Sequence, residues 1–306
     1  TGIPIAQVEN ASASGSTSFR QACLDVASGH TDISLAAGVD KPALIPRADS
    51  GSPGDLIGKM LAPVSHFALL ANQYCELHGV THEQLAAVGV KNHRNGAKNP
   101  FAQRQKERTL EELMAPPYLA GLLNRLHCCP IGEGAAAVVV ASADGLQKLN
   151  LSDDRSVQIL ASVSRSERLY GPDEDWDVAL TRETTQQALQ DAGITADQLD
   201  VVEVHDAFTI EEIMYAEAMG LSRKGEAAAD IAAGEFDIGG RCALSPSGGL
   251  LSMGHPIGPT GVGQIAEITR QLRGEAGDRQ QPDAQIGLAH MVGVGAVCLV
   301  HILQRI

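Results

Sequence analysis

Apolar residues in this chain recur with two different spacings. Over residues 16–28 (STSFRQACLDVAS), Phe19, Ala22, Cys23 and Val26 return at the three-to-four-residue interval of one helix face, and Gly29 ends the run. IAQVEN, just upstream, is a short extended run. DISLAAGVD, downstream, is apolar at nearly every position, which predicts a strand buried on both faces as in a parallel sheet. GEGAAAVVVASADGL returns to the same pattern. SVQILASVSR and LDVVEVHD predict further strands, and TRETTQQALQDAG predicts an amphipathic helix closed by Gly193. QIGLAHMVGVGAVCLVHIL predicts two strands joined by a glycine turn. In LDVVEVHD the polar residues gather at the C-terminal end, where open α/β sheets bind ligands.

Residues 42–128 break this rhythm. KPALIPRADSGSPGD is rich in Pro, Ser and Gly; helices are expected around 63–78 and 82–92, followed by a polar, basic stretch, VKNHRNGAKNPFAQRQKERT. The pattern predicts an α/β core interrupted by a mostly helical insertion: 1–41 with 129–150 as a first half, 42–128 as the insertion, and 151–306 as a second half. The two halves look like copies of one unit. Each has a small-residue turn (ASASGS, SPSGGLLSMG) leading to a helix, an apolar strand and a closing strand. Residues 151–247 precede the second turn, whereas only 11 residues precede Ser12. By that symmetry the opening strands of the first half are expected upstream of residue 1. The alternative is a split protein completed by another chain.

The 306 residues are 44% apolar and 20% charged, as in ordinary globular proteins. Aromatic residues make up only 3%, so the core is expected to be aliphatic. The net charge of −14 disfavours nucleic acid and anionic membranes as general partners. The six cysteines are irregularly spaced with no C-x-x-C pair, which argues against a disulfide framework or a zinc site and for reduced, cytoplasmic thiols. No apolar run is long enough for a membrane span and no signal peptide is visible. No metal is expected.

Candidate chemistry gathers at a few places. Ser12, in VENASASGSTSFR, stands between a strand and a helix, where it reads as a nucleophile, a replacement for one, or a helix cap. His205 follows a buried strand in VEVHDAF. His255 lies in GHPIGPTG, where glycines allow close approach of a ligand and a helix start supplies donors. The alternating glycines of HMVGVGA can aim backbone N–H groups at an oxyanion or simply form a tight hairpin. Asp206 adjoins His205 but points away from it along the chain and reads as a structural acceptor. Cys128 and Cys129 read as packing residues.

Taken together, VENASASGS, VKNHRNGAKNP, CCPIGEGAAA, VEVHDAFT, SPSGGLLSMGHPIGPTG and HMVGVGA resemble the thiolase superfamily, from about residue 7 to the C-terminus. HDAF, in place of N-E-A-F, resembles the sterol-carrier-protein-type and archaeal branch. The resemblance implies an α/β fold of two βαβαβαββ halves with a loop domain inserted in the first. It implies that a nucleophile at position 12 attacks an acyl-CoA thioester and that coenzyme A is a co-substrate, with no cofactor bound permanently. His255 would activate the nucleophile, His205 and His255 would polarise the carbonyl of a second substrate, and the N–H groups of residue 12 and Gly293 would form an oxyanion hole. Ser247, Gly248 and Met291 would face the substrate. The basic stretch Lys91–Arg108 would meet the CoA phosphates or form a solvated loop face. A homodimer and a small zinc-ribbon/OB-fold accessory subunit are the implied partners. Because the chain ends at Ile306 just after its last predicted strand, no sterol-carrier lipid domain is expected.

The chain departs from that family at three positions. Ser12 stands where the family has its nucleophilic cysteine, Ala207 where sterol-carrier-type enzymes have a cysteine, and Met291 where biosynthetic thiolases have their acid/base cysteine. A serine hydroxyl is far harder to ionise than a thiol, so slow or absent turnover is expected. Three accounts of Ser12 stand: a cysteine replaced to trap a complex, a natural serine in a carbon–carbon lyase such as a retro-aldolase, and a non-catalytic acyl-CoA-binding subunit.

Overall fold

The computed structural model describes residues 2–41, 63–151, 155–171, 175–293 and 297–306. The Pro/Ser/Gly-rich opening of the insertion and the glycine turn at 294–296 lie outside these residues.

Helix α1 (Ser14–Ala27) and strand β1 (Ile33–Asp40) come first. The insertion supplies helices α2 (Pro63–His78), α3 (His82–Ala97) and α4 (Leu110–Met114), then the small hairpin β2 (Tyr118–Ala120) and β3 (Leu123–Asn124). Strand β4 (Gly134–Ala141) and helix α5 (Ala143–Lys148) follow. The remaining chain runs β5 (Val157–Ser166), α6 (Trp176–Ala192), β6 (Val201–Glu203), α7 (Thr209–Ala218), α8 (Ala227–Ala233) and β7 (Ala243–Leu244). It closes with α9 (Gly249–Ser252), α10 (Thr260–Leu272), β8 (Ile286–Gly293) and β9 (Val297–Arg305).

Five strands form one mixed sheet in the order β5-β9-β8-β6-β7. Strand β6 is parallel to β7 and β8, while β8–β9 and β9–β5 are antiparallel. Every residue of β8 is buried, which is why IGLAHMVG carries no polar alternation. Strands β1 and β4 instead pair antiparallel with each other, from Ile33 opposite Ala141 to Asp40 opposite Gly134. This corrects the expectation of parallel strands covered on both faces. Ala36 and Val140 face inward, but Leu35, Val39 and Val139 are 59, 76 and 61% exposed. A run that is apolar at every position cannot by itself distinguish two covered faces from one. IAQVEN is a second correction: residues 2–9 form no strand, and Ile3 and Ile5 are exposed.

The insertion differs as well. The expected helix 82–92 continues to Ala97 as α3, begun by a Thr81–Gln84 capping box. Its last turns read as a polar loop because Lys91, Asn92, His93 and Asn95 are polar, yet all four are buried. Asn95 Nδ2 donates to Ser245 O, and Lys91 faces Glu212 at 3.0 Å.

Helices α1 and α10 cross backbone to backbone. A Cβ on Gly15 would lie 2.7 Å from Gly258 O and 2.9 Å from Val262 N, and one on Gly261 would lie 2.4 Å from Ser16 N. Backbone atoms cannot step aside as a side-chain tip can. Gly261→Ala is therefore expected to destabilise the fold by about 1–3 kcal/mol or more. Gly263→Ala, whose Cβ would meet only Ala136 Cβ at 4.0 Å, is expected to be neutral or slightly stabilising. Urea midpoints of the two variants check this; equal midpoints would remove the argument.

Candidate active site

The helix crossing sets two loops side by side. Ser12 ends the turn before α1, and His255 lies in the loop before α10. Within the Ser12 turn, Asn10 N donates to Ser14 Oγ at 2.8 Å, and Ser14 Oγ in turn donates to Ala11 O at 2.7 Å. Ala11 has φ +49°, a left-handed conformation that only a tight turn imposes on a residue with a Cβ. Residues 128–131 brace the other side: Cys128 bridges to Phe208, Cys129 N donates to Ala207 O at 2.8 Å, and Ile131 bridges to His255. That strut holds the loop after β6, which carries His205, against the loop carrying His255.

The result is a buried constellation. Ser12 Oγ lies 3.0 Å from His255 Nε2, and His255 Nδ1 lies 2.9 Å from Thr260 Oγ1. The Thr260 hydroxyl donates to Pro256 O, so its oxygen accepts from His255 Nδ1–H. That leaves Nε2 as the acceptor for the Ser12 hydroxyl. Among the described residues no carboxylate hydrogen-bonds to this histidine. Burial, with His205 adding to it, lowers His255 to about 3, so the imidazole is neutral. The rings of His205 and His255 meet edge to face with centroids 5.3 Å apart. His205 Nε2 is buried without a hydrogen-bond partner among the described residues, while Nδ1 lies 3.2 Å from Glu211 Oε1.

Other expected site residues fall around this core. Gly293 packs on the Ser12 turn, where a Cβ would lie 2.6 Å from Asn10 O and 3.2 Å from Ala13 Cβ. Met291 is fully buried with Ala13 and Leu299 behind that turn. Gly248 has φ +103° and a Cβ there would meet Gly96 Cα at 2.6 Å, so α3 and the 245–249 turn demand glycine. Ser247 is tied to Glu203, with N at 2.9 Å and Oγ at 2.7 Å from the carboxylate. Burial pushes the Glu203 carboxyl up to about 8. Asp206 accepts from Leu250 N at 2.7 Å and from Asn92 Nδ2 at 2.6 Å, facing away from His205. Cys128 and Cys129 are held as thiols, burial pushing them to about 11 and about 12.

Part of the basic stretch is engaged by the protein itself. Lys91 is 2% exposed, Arg94 pairs with Asp237, and Arg108 pairs with Glu112. Arg104 donates to the carbonyls of Cys128, Leu251 and Arg125. Lys91 and Arg104 are thus engaged inside the protein and tie the insertion to the core, while Lys98 and Lys106 stay exposed. A cleft of about 1640 Å³ opens beside the His255 loop, lined in part by Asn99, Phe101, Ser247, Met253, Pro256 and Thr260. Neither Ser12 nor His205 lines it. Sequence reading missed Thr260, Glu203 and Glu211. Each sits within a quoted motif or next to one, but only folding shows which carboxylate or hydroxyl meets which ring.

Known proteins share this layout. The solved structure "Ltp2-ChsH2(DUF35) aldolase" superposes with a TM-score of 0.82 at 24% identity, over 97% of this chain and 78% of that one, and so shares the fold. Acetyl-CoA acetyltransferase of Methanothermobacter thermautotrophicus is 37% identical over the whole chain and 81% of its own length. Human sterol carrier protein 2 is 35% identical over 98% of the chain, which spans only 58% of that relative's length. The family model "Thiolase, N-terminal domain" matches residues 1–144 and "Thiolase C-terminal domain-like" matches 163–305. With both halves matched, Ser12 in the first and His205 and His255 in the second, the chain belongs to the thiolase family.

Proposed function

We propose that this chain is an acyltransferase of the thiolase type that cleaves a 3-ketoacyl-CoA with coenzyme A, or runs the reverse Claisen condensation, and that Ser12 slows its acyl-transfer step. The observation that carries this reading is Ser12 Oγ at 3.0 Å from the acceptor nitrogen of His255 with His205 edge-on beside it. In the cleavage direction the Ser12 proton passes to His255 Nε2 as Oγ bonds to the 3-keto carbon. The C2–C3 bond then breaks, its electron pair takes the proton held on His255, and acetyl-CoA leaves. The sulfur of a second coenzyme A displaces Ser12 Oγ from the acyl ester, and the thiol proton returns to Oγ through His255. Thr260 orients His255 throughout, and the N–H groups of Ser12 and Gly293 are the proposed oxyanion donors. Ser247, Gly248 and Met291 shape the wall behind the acyl group. The reading includes a homodimer and a small accessory chain. The two-component name of the solved aldolase relative, Ltp2 with ChsH2(DUF35), supports the accessory chain.

A retro-aldol lyase is the second reading, favoured by one contact: the Tyr215 hydroxyl donates to Glu211, which in turn meets His205. Such a cleavage needs a base at the 3-hydroxyl and no bond to Ser12.

Incubation with acetoacetyl-CoA and mass spectrometry of the Ser12 peptide separates these. An acyl ester on Ser12 that is lost in His255→Ala is the expected result. Cleavage of a 3-hydroxyacyl-CoA that survives Ser12→Ala would give the site to the lyase instead. A protein that binds no acyl-CoA would sink both.

A further inference from the structure

His205 leaves one ring nitrogen without a partner among the described residues and has the other occupied. Nε2 is buried with no hydrogen-bond partner among the described residues, and Nδ1 lies 3.2 Å from Oε1 of Glu211. Glu211 sits in the first turn of α7 and is held at two more points. Its Oε2 accepts from Phe208 N at 2.8 Å, and its Oε1 accepts from the Tyr215 hydroxyl at 3.3 Å. A carboxyl clamped three ways on a helix cannot follow the ring; the ring must conform to it. We infer that Glu211 is a positioning residue for the reaction, deciding through Nδ1 whether Nε2 of His205 meets the substrate carbonyl as a hydrogen-bond donor or as a base. The inference rests on the reading that the Ser12–His255–His205 cluster acts on an acyl-CoA.

When the pair holds its shared proton, Glu211 donates to Nδ1 or His205 is an imidazolium, and in both cases Nε2 carries a hydrogen. When that proton is lost, Glu211 is a carboxylate accepting from Nδ1–H, and Nε2 offers a lone pair. A donor stabilises an enolate or thioester oxyanion; a lone pair repels it. Burial pushes Glu211 up to about 8 and His205 down to about 4, so near neutral pH the proton stays on the pair and Nε2 is a donor. Above about 8 the donor is lost.

The neighbours do not override this. Asp177 of α6 is pushed to about 9, chiefly by burial, and Cys129 of the strut to about 12. His290 of β8 is held well below its usual range by burial, and its Nδ1 accepts from His205 N at 3.4 Å. His255 is lowered to about 3, and Asp206 is raised by burial and by the Glu212 charge. Tyr215 keeps its proton, and His66 of α2 acts to lower Glu211 only as a minor influence after burial and the Phe208 and Tyr215 hydrogen bonds.

Nitrogen-15 NMR of histidine-labelled protein reads the ring directly, with His205→Asn identifying its signals. In the parent, Nε2 of His205 is expected to lose its hydrogen as the pH rises through about 8. In Glu211→Gln it should keep that hydrogen throughout, because the amide N–H donates to Nδ1 while the amide oxygen takes Phe208 N–H. A parent ring that does not change, or a Glu211→Gln ring that titrates as the parent does, overturns the inference. A kinetic arm uses the Ser12→Cys background. There Glu211→Gln should abolish the fall in kcat above about pH 8 and keep the neutral rate within a few-fold. Glu211→Ala should lower kcat about 10- to 100-fold, as loss of a histidine's outer partner does elsewhere, with little change in KM. Equal losses in Gln and Ala with the alkaline fall intact would overturn it too. If Ser12→Cys itself fails to turn over, the thiolase reading falls, and the NMR arm alone still decides the role of Glu211.

Discussion

Ser12→Cys is expected to raise CoA-dependent cleavage of acetoacetyl-CoA by about 10²–10⁴-fold, the range that nucleophile activation and proton transfer commonly span. The geometry for the reaction already exists. His255 Nε2 waits as an acceptor 3.0 Å from the side-chain atom at position 12. What is missing is acidity. A free thiol has a pKa of about 8.5 and falls further beside a histidine or at a helix start, whereas a serine hydroxyl must be deprotonated during attack. His255 is poorly placed to do that alone, because burial holds it at about 3 and, among the described residues, only the Thr260 hydroxyl backs it. A thiolate would also stabilise the imidazolium it creates, and a thioester hands its acyl group to coenzyme A more readily than an ester does. Initial rates of acetoacetyl-CoA loss with and without coenzyme A measure the change. A Ser12→Cys variant that binds acyl-CoA yet shows no coenzyme-A-dependent cleavage would refute the thiolase assignment.

Lys91→Met is expected to cost about 3–5 kcal/mol of folding stability, the usual penalty for stranding one partner of a buried ion pair. Lys91 Nζ reaches Asn92 Oδ1 and Leu244 O, both at 2.6 Å, and faces Glu212 at 3.0 Å, with Glu212 fully buried. Asn92 Nδ2 donates onward to Glu212 and to Asp206, so one cation sits against two buried carboxyl groups. Without it Glu212 loses its counter-charge in an apolar setting. The double variant Lys91→Met, Glu212→Leu is expected to recover at least half of the loss, since an apolar pair of like volume replaces a charged one. Urea midpoints with unchanged m values read both effects. A single variant within about 1 kcal/mol of the parent would show that the cluster is not what ties α3 to α7.

Much of this was visible in the chain before folding, and the failures have identifiable causes. Strands β8 and β9, helix α6 with its Gly193 end, and the loops carrying His205 and His255 follow from periodicity and turn residues alone. The α1–α10 crossing does not, although Gly15 and Gly261 are plain in the sequence. Their meaning lies in a partner helix about 246 positions away (Gly15 to Gly261). The burial of Lys91 and Asn95 is not legible in the sequence, because polarity suggests exposure while the core satisfies that charge and that amide. Within the site, positions 12, 205, 255 and 293 stand out in their motifs; folding brings the first three together and packs Gly293 on the Ser12 turn. Glu211 and Thr260 were not anticipated, because hydrogen-bond partners of a histidine are set by side-chain direction, which spacing does not record.

The helix crossing also changes how position 12 can be studied. Because α1 and α10 touch through main-chain atoms, the separation of the two loops at their ends is set by a bolted joint and not by the softer fit of side chains. Exchanging oxygen for sulfur there is then close to an isotope-like substitution. The frame stays put, one atom changes, and the difference in rate reports the chemistry of that atom.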